Sequence, residues 1–117
     1  MSFTDGALQA ATDGLTAAYP YVGLHSADPG TTGANETTAT RILVGWPAAS
    51  GTGDTTVSNV AFSGGASNGP VLYWGLWSSA TAGTFGGSFP FDAGSDAAFN
   101  AAGQYTATSL TINAANP

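Results

Sequence analysis

An apolar stretch, residues 71–77 (Val71-Leu72-Tyr73-Trp74-Gly75-Leu76-Trp77), alternates without offering a polar face. Val71, Tyr73 and Trp77 point one way, and Leu72, Trp74 and Leu76 the other. A strand that is apolar on both faces is covered on both. It is therefore expected either at the centre of the fold or with its outer face against another protein. Trp74 and Leu76 are assigned to the core, and Tyr73 and Trp77 to a face that a neighbouring subunit is expected to cover at least in part. Residues 78–83 are turn formers, and 84–89 return as a second strand, so the strongest local pairing is a hairpin. Pro90 ends that strand or sets it on an edge. Upstream, residues 21–26 alternate Val22 and Leu24 against Tyr21 and His25, a half-buried strand. Residues 41–46 place Ile42, Val44 and Trp46 on one face of another. Residues 55–62 alternate less cleanly, although Val60 and Phe62 share a face, and 104–112 form a β-branched last strand.

Only residues 3–18 carry a helical period. Thr4 is placed to cap the helix, Asp5 lies at the positive end of its dipole, and Ala7, Leu8, Ala11, Leu15 and Ala18 share a face. Gly6 and Gly14 weaken it by about 1 kcal/mol each relative to alanine, and Pro20 stops it by restricting Tyr19. Asp28-Pro29-Gly30 is a turn. Residues 31–40 and 92–103 are long loops, the second with a helical turn expected near residues 97–99. No crossover helix separates any two strands. The expected fold is mainly β: one domain over residues 1–117, an antiparallel β-sandwich or jelly-roll-like arrangement of about six strands (21–112) with one N-terminal helix.

Charge narrows the function. Only 7% of residues are charged, Arg41 is the one Lys or Arg, and seven carboxylates give a formal net charge of −6. Neutralising phosphates takes clustered Lys and Arg, so neither nucleic acid nor an anionic membrane surface is an expected partner. With no cysteine there is no thiolate chemistry or disulfide framework. Residues 1–5 lack a basic n-region, which predicts synthesis in a cytoplasm and use without signal-dependent export. A surface of Thr, Ser, Asn and Gly suits a protein packed against neighbours.

Candidate chemistry is sparse. His25 is the only histidine. Its neighbours Ser26 and Asp28 do not converge with it from their strand positions, so a structural histidine is expected. Asp92 and Asp96, with Asp28 or Asp54, lack the ligand density calcium requires and read as solvated loop acids. Asn35-Glu36-Thr37 is a chance glycosylation sequon. Arg41 is expected to pair with an acid of its own fold or of a neighbouring subunit. Trp46, Tyr73, Trp74, Trp77, Phe85, Phe89 and Phe91 suit a core or interface better than a sugar platform. No catalytic residue, cofactor or metal site is expected; the candidate interface residues are Tyr73, Trp77, Arg41 and Trp46.

Leu24-His25-Ser26-Ala27-Asp28-Pro29-Gly30, continued by Gly33 and Glu36, resembles the "LHTADPG-x-x-G-x-x-E" strand and turn of a family of small tailed-bacteriophage virion proteins. These are described as minor tail or tail-fibre-like proteins, with related domains decorating heads. An Arg-containing strand (41–46), a Phe-ending strand (60–62), the "GLW-x-x-A-x-x-G" hairpin (75–83) and a threonine-rich last strand (106–112) follow in the family's order. The sequence departs from the family's "YARQ-x-V-x-F" at Thr40–Trp46, and its 92–103 loop is longer. The resemblance implies a structural virion component without enzymatic activity, assembled in the host cytoplasm. It would be bound to major capsid or tail proteins and homo-oligomeric, with a trimer suggested by analogy. The alternative is a carbohydrate- or receptor-binding module on the virion surface.

Overall fold

A computed structural model describes residues 3–91 and 97–114. In chain order these form α1 (Asp5–Ala18), β1 (Tyr21–His25), β2 (Ile42–Leu43), β3 (Asp54–Phe62), β4 (Tyr73–Trp77), β5 (Phe85–Pro90) and β6 (Tyr105–Asn113). Two antiparallel sheets result: a four-stranded one in the order β2-β1-β4-β5, and a ribbon of β3 and β6. Val22, Leu24, Trp74 and Leu76 from the first meet Val60, Phe62, Leu110 and Ile112 from the second in one buried cluster. The architecture is the expected mainly-β, sandwich-like domain. As the expected centre, β4 lies between β1 and β5, Gly75 pairing with Gly23 on one side and Ser88 on the other.

Several elements differ from expectation in detail. The helix is capped as predicted, the Thr4 hydroxyl accepting from the Ala7 N–H at 3.2 Å. It does not seat by an alanine-leucine face, however: Ala7, Ala11 and Ala18 are exposed, and its buried residue is Thr12. The Thr12 hydroxyl donates to the Gly53 carbonyl (2.7 Å), Gln9 donates to the Gly51 carbonyl (2.8 Å), and Asp13 accepts from the Ala49 N–H (2.8 Å). Polar bonds to one loop hold α1 in place, and Leu15 adds a contact with the edge of the core. Of the strand expected over 41–46, only Ile42 and Leu43 pair, because the chain turns at Gly45 (φ 64°). The half-burial expected for β1 is full burial from Val22 to His25. The helical turn expected at 97–99 is extended instead. Ala98 bridges Pro70, and the Phe99 N–H donates to the Gly69 carbonyl at 2.8 Å. Asp92 and Asp96 lie outside the described residues.

The irregular alternation of β3 has a clear cause. Thr55 is buried and Val57 half-buried, then the inward set shifts to Val60 and Phe62. Asn59, with φ 54°, sits at the change. Strand alternation has period 2, so one residue in the left-handed region exchanges the faces. β6 changes face opposite it, from Ala107 to Leu110 and Ile112, while the register stays constant from Asp54↔Asn113 to Phe62↔Tyr105. The ribbon thus carries a crimp that turns both halves of both strands toward the core.

Candidate functional site

Tyr21, Gly23 and His25 of β1 lie opposite Trp77, Gly75 and Tyr73 of β4, and side chains of opposed residues share a face. That face is the one turned away from Trp74 and Leu76. The opposed pair Gly23 and Gly75 leaves a trough at its centre. A Cβ on Gly75 would lie 2.6 Å from His25 Nε2 and 2.9 Å from Phe85, and one on Gly23 would lie 2.8 Å from a Glu36 oxygen. The imidazole of His25 and the indole of Trp77 occupy the trough with their rings parallel to 4°. They meet at their edges, Trp77 Nε1–H donating to His25 Nε2 at 3.4 Å.

The segment from Ser26 to Arg41 folds back over this trough. Its turn forms as the sequence suggests: Asp28 Oδ1 accepts from the Gly30 N–H at 2.9 Å. Gly33 (φ 77°) then passes against the Trp77 six-membered ring, where a Cβ would come within 2.6 Å. Glu36 bridges back to His25. The Arg41 guanidinium lies over the Trp77 ring, Cζ 3.7 Å from the ring centroid. Arg41 Nε and Nη2 donate to the two Glu36 oxygens at 2.7 and 2.8 Å, and Nη1 donates to the carbonyls of Ser79 and Ala82 at 3.0 and 2.7 Å. Four of the five guanidinium N–H groups are thereby engaged. The expected partner acid is one of its own fold, Glu36.

The electrostatics follow from this closure. His25 is fully buried, and desolvation pushes its pKa below the usual 6.5. The Ala34 carbonyl and the Glu36 carboxylate pull it back up, and Arg41 pushes it further down. A neutral ring fits both contacts: Nδ1–H donates to the Ala34 carbonyl (2.9 Å), and Nε2 accepts from Trp77. Both ring nitrogens are in use and away from solvent, so this imidazole has no lone pair to offer a solute. The Arg41 side chain is 9% exposed and already neutralised by Glu36. An open cleft of about 370 Å³ runs between the Glu36–Arg41 segment and residues 80–82, lined by the threonines at 37, 38, 40 and 81. The charge an anionic ligand would seek there, that of Arg41, is paired with Glu36, which also lines the cleft.

Of the four candidate interface residues, the structure joins Arg41 and Trp77 and separates the other two. Trp77 is 8% exposed, covered by Arg41, Gly33 and Phe85 of its own chain. Neither α1, nor the ribbon, nor a subunit is needed to cover it. Trp46 stacks on Trp74 with ring centroids 5.9 Å apart, and Trp74 stacks on Phe89 at 4.6 Å, all on the core side. Tyr73 is half-buried beside His25 and Pro90 in the register. Sequence reasoning did not find Glu36 or the glycine pair. The signal was present in the spacing, since Gly23 and Gly75 sit at matching positions of two strands that each carry a large ring two residues away. Among the described residues no three His, Asp or Glu side chains gather as a metal site, and no helix is long and apolar enough to cross a membrane. Compared with known proteins, the chain matches no family model, no curated protein and no solved structure.

Proposed function

We propose that this protein is a structural component of a tailed-phage virion, an outward-facing minor protein attached to the capsid or the tail. The observation that carries this reading is where the resemblance residues lie. The turn segment (His25, Asp28, Gly30, Gly33, Glu36) and the hairpin segment (Gly75, Trp77, Gly83) are distant in sequence, yet both belong to the one latch closed by Arg41. Both segments are committed to holding a scaffold, joined directly by the Trp77–His25 bond and bridged by Arg41 between Glu36 and the carbonyls of Ser79 and Ala82. A shared pattern of that kind belongs to a building block whose fold, rather than a reacting group, is what recurs. The acidic, charge-poor surface of Thr, Ser and Gly suits a subunit that meets other virion proteins. The sugar-binding reading has less support, because Trp74 and Trp77 are buried and Trp46 stacks against the core.

The test is mass spectrometry of purified particles of the phage that encodes the chain, with cryo-electron microscopy to place it. Stoichiometric recovery in particles and density for a two-sheet domain on the outer surface are expected. Particles that lack the protein would end the proposal.

A further inference from the structure

The geometry points to a second copy of this chain as the partner of the edge of β6 that no described strand pairs with, the two strands pairing antiparallel about a twofold axis between Thr108 and Ser109. Among the described elements, β3 is the only strand that pairs with β6. From Thr106 to Thr111 the only backbone pairing of β6 among the described residues is with β3. Proteins ordinarily guard such an edge with lysine, proline, a covering loop or a short strand. This strand is nine residues long and contains no charge, proline or glycine. The opposite edge of the ribbon is guarded: at the start of β3 Asp54 pairs with Ser50, α1 bonds to Gly53, and Asn59 takes its left-handed conformation midway.

What selects a second copy is the twofold character of β6 itself. Reflected about its 108/109 midpoint, the strand sets Thr108 against Ser109, Ala107 against Leu110, Thr106 against Thr111 and Tyr105 against Ile112. Exposed residues fall opposite exposed ones (Thr106, Thr108, Ser109, Thr111). The buried Ala107 falls opposite the buried Leu110, and the half-buried Tyr105 opposite the buried Ile112. In a regular strand this register is impossible, because positions of odd and even number lie on opposite faces and bond to opposite edges. The crimp exchanges the faces at 108/109 and makes the strand self-complementary. Threonine facing threonine is a favourable cross-strand pair, and the ribbon already contains one, Thr56 against Thr111 with hydroxyls 2.9 Å apart. Charge points the same way. Two chains of net charge −6 repel, and the uncharged β6 lets them meet without apposing carboxylates. The product is a continuous β3-β6-β6-β3 sheet across two subunits, a closed isologous dimer and not the trimer that analogy suggests. It stands on β6 alone and holds wherever the protein works.

Sedimentation velocity on the full chain, carried to millimolar concentration, is expected to show a reversible dimer. Ser109→Lys places like charges beside the axis, and is expected to raise the dissociation constant at least about tenfold with the melting temperature unchanged. The chain has no cysteine, so cross-linking reads the register directly. An equimolar mixture of Thr106→Cys and Thr111→Cys chains should form a mixed disulfide well above either chain alone, since opposed residues sit within disulfide reach. A protein monomeric at every concentration, a trimer, an undiminished dimer in folded Ser109→Lys, or no excess of mixed disulfide would each overturn the assignment. If Ser109→Lys does not fold, the disulfide result alone decides.

Discussion

His25 shows what a single buried ring contributes to this domain. Its pKa is lowered on folding, so the unfolded chain binds a proton more readily than the native one. By linkage the stability it supports is present above the unfolded pKa of about 6.5 and is lost as pH falls below it toward the lowered native value. Melting temperatures measured downward from pH 7.5 should begin to fall below about pH 6.5. A His25→Gln variant, though less stable throughout, should show a flatter profile over the same window. Gly75 makes the complementary point about space. A methyl group there meets His25 and Phe85, both fixed by their neighbours. Gly75→Ala should cost about 1–3 kcal/mol, seen as a lower midpoint in urea with unchanged m-value. Gly14→Ala, with open space around its Cβ, should not be destabilised.

At the scale of elements, Arg41 couples a loop to a hairpin. The guanidinium–carboxylate pair is bidentate and largely withdrawn from water, and removing one partner leaves the other unpaired. Arg41→Met or Glu36→Gln should each lose about 2–4 kcal/mol. The double variant should lose less than the sum, the coupling that a double-mutant cycle measures. Arg41→Lys should not rescue, since a lysine cannot span Glu36 and two carbonyls together. In the ribbon, Asn59 adopts a conformation that a β-branched residue resists. Asn59→Val is therefore expected to cost about 1–2 kcal/mol and Asn59→Gly little, with thermal unfolding as the readout. The uneven alternation of residues 55–62 was visible in the sequence; the left-handed residue behind it was not, because asparagine is equally common in ordinary turns. The helix period was legible too, yet its seating was not, because Thr12, Gln9 and Asp13 bond to a loop that only the tertiary fold brings near.

For the molecule as a whole, the two-sheet architecture and the central place of residues 71–77 could be read from apolar periodicity, which burial enforces directly. The cover over Trp77 could not. It depends on Gly33, Glu36 and Arg41 arriving from a loop with no hydrophobic period. The chain has a radius of gyration of 14.0 Å and extents of 45 × 27 × 24 Å, close to the roughly 13 Å of a compact chain of this size. Its only Lys or Arg is enclosed, so the surface field is set by carboxylates that repel one another. Raising the salt concentration from about 0.05 to 0.5 M, which shortens the screening length severalfold, should raise the melting temperature modestly. A fold resting on exposed ion pairs would shift the other way.

Arg41 grips the hairpin tip through the carbonyls of Ser79 and Ala82, atoms that every amino acid carries. The latch therefore reads the path of the tip and is blind to its spelling. Thr81, exposed between the two gripped carbonyls and at an open position of the hairpin pattern, is free to vary while the scaffold beneath it stays fixed. A saturation library at Thr81 should retain folding for nearly every substitution. That is the place where the domain's outward appearance can change without its frame being rebuilt.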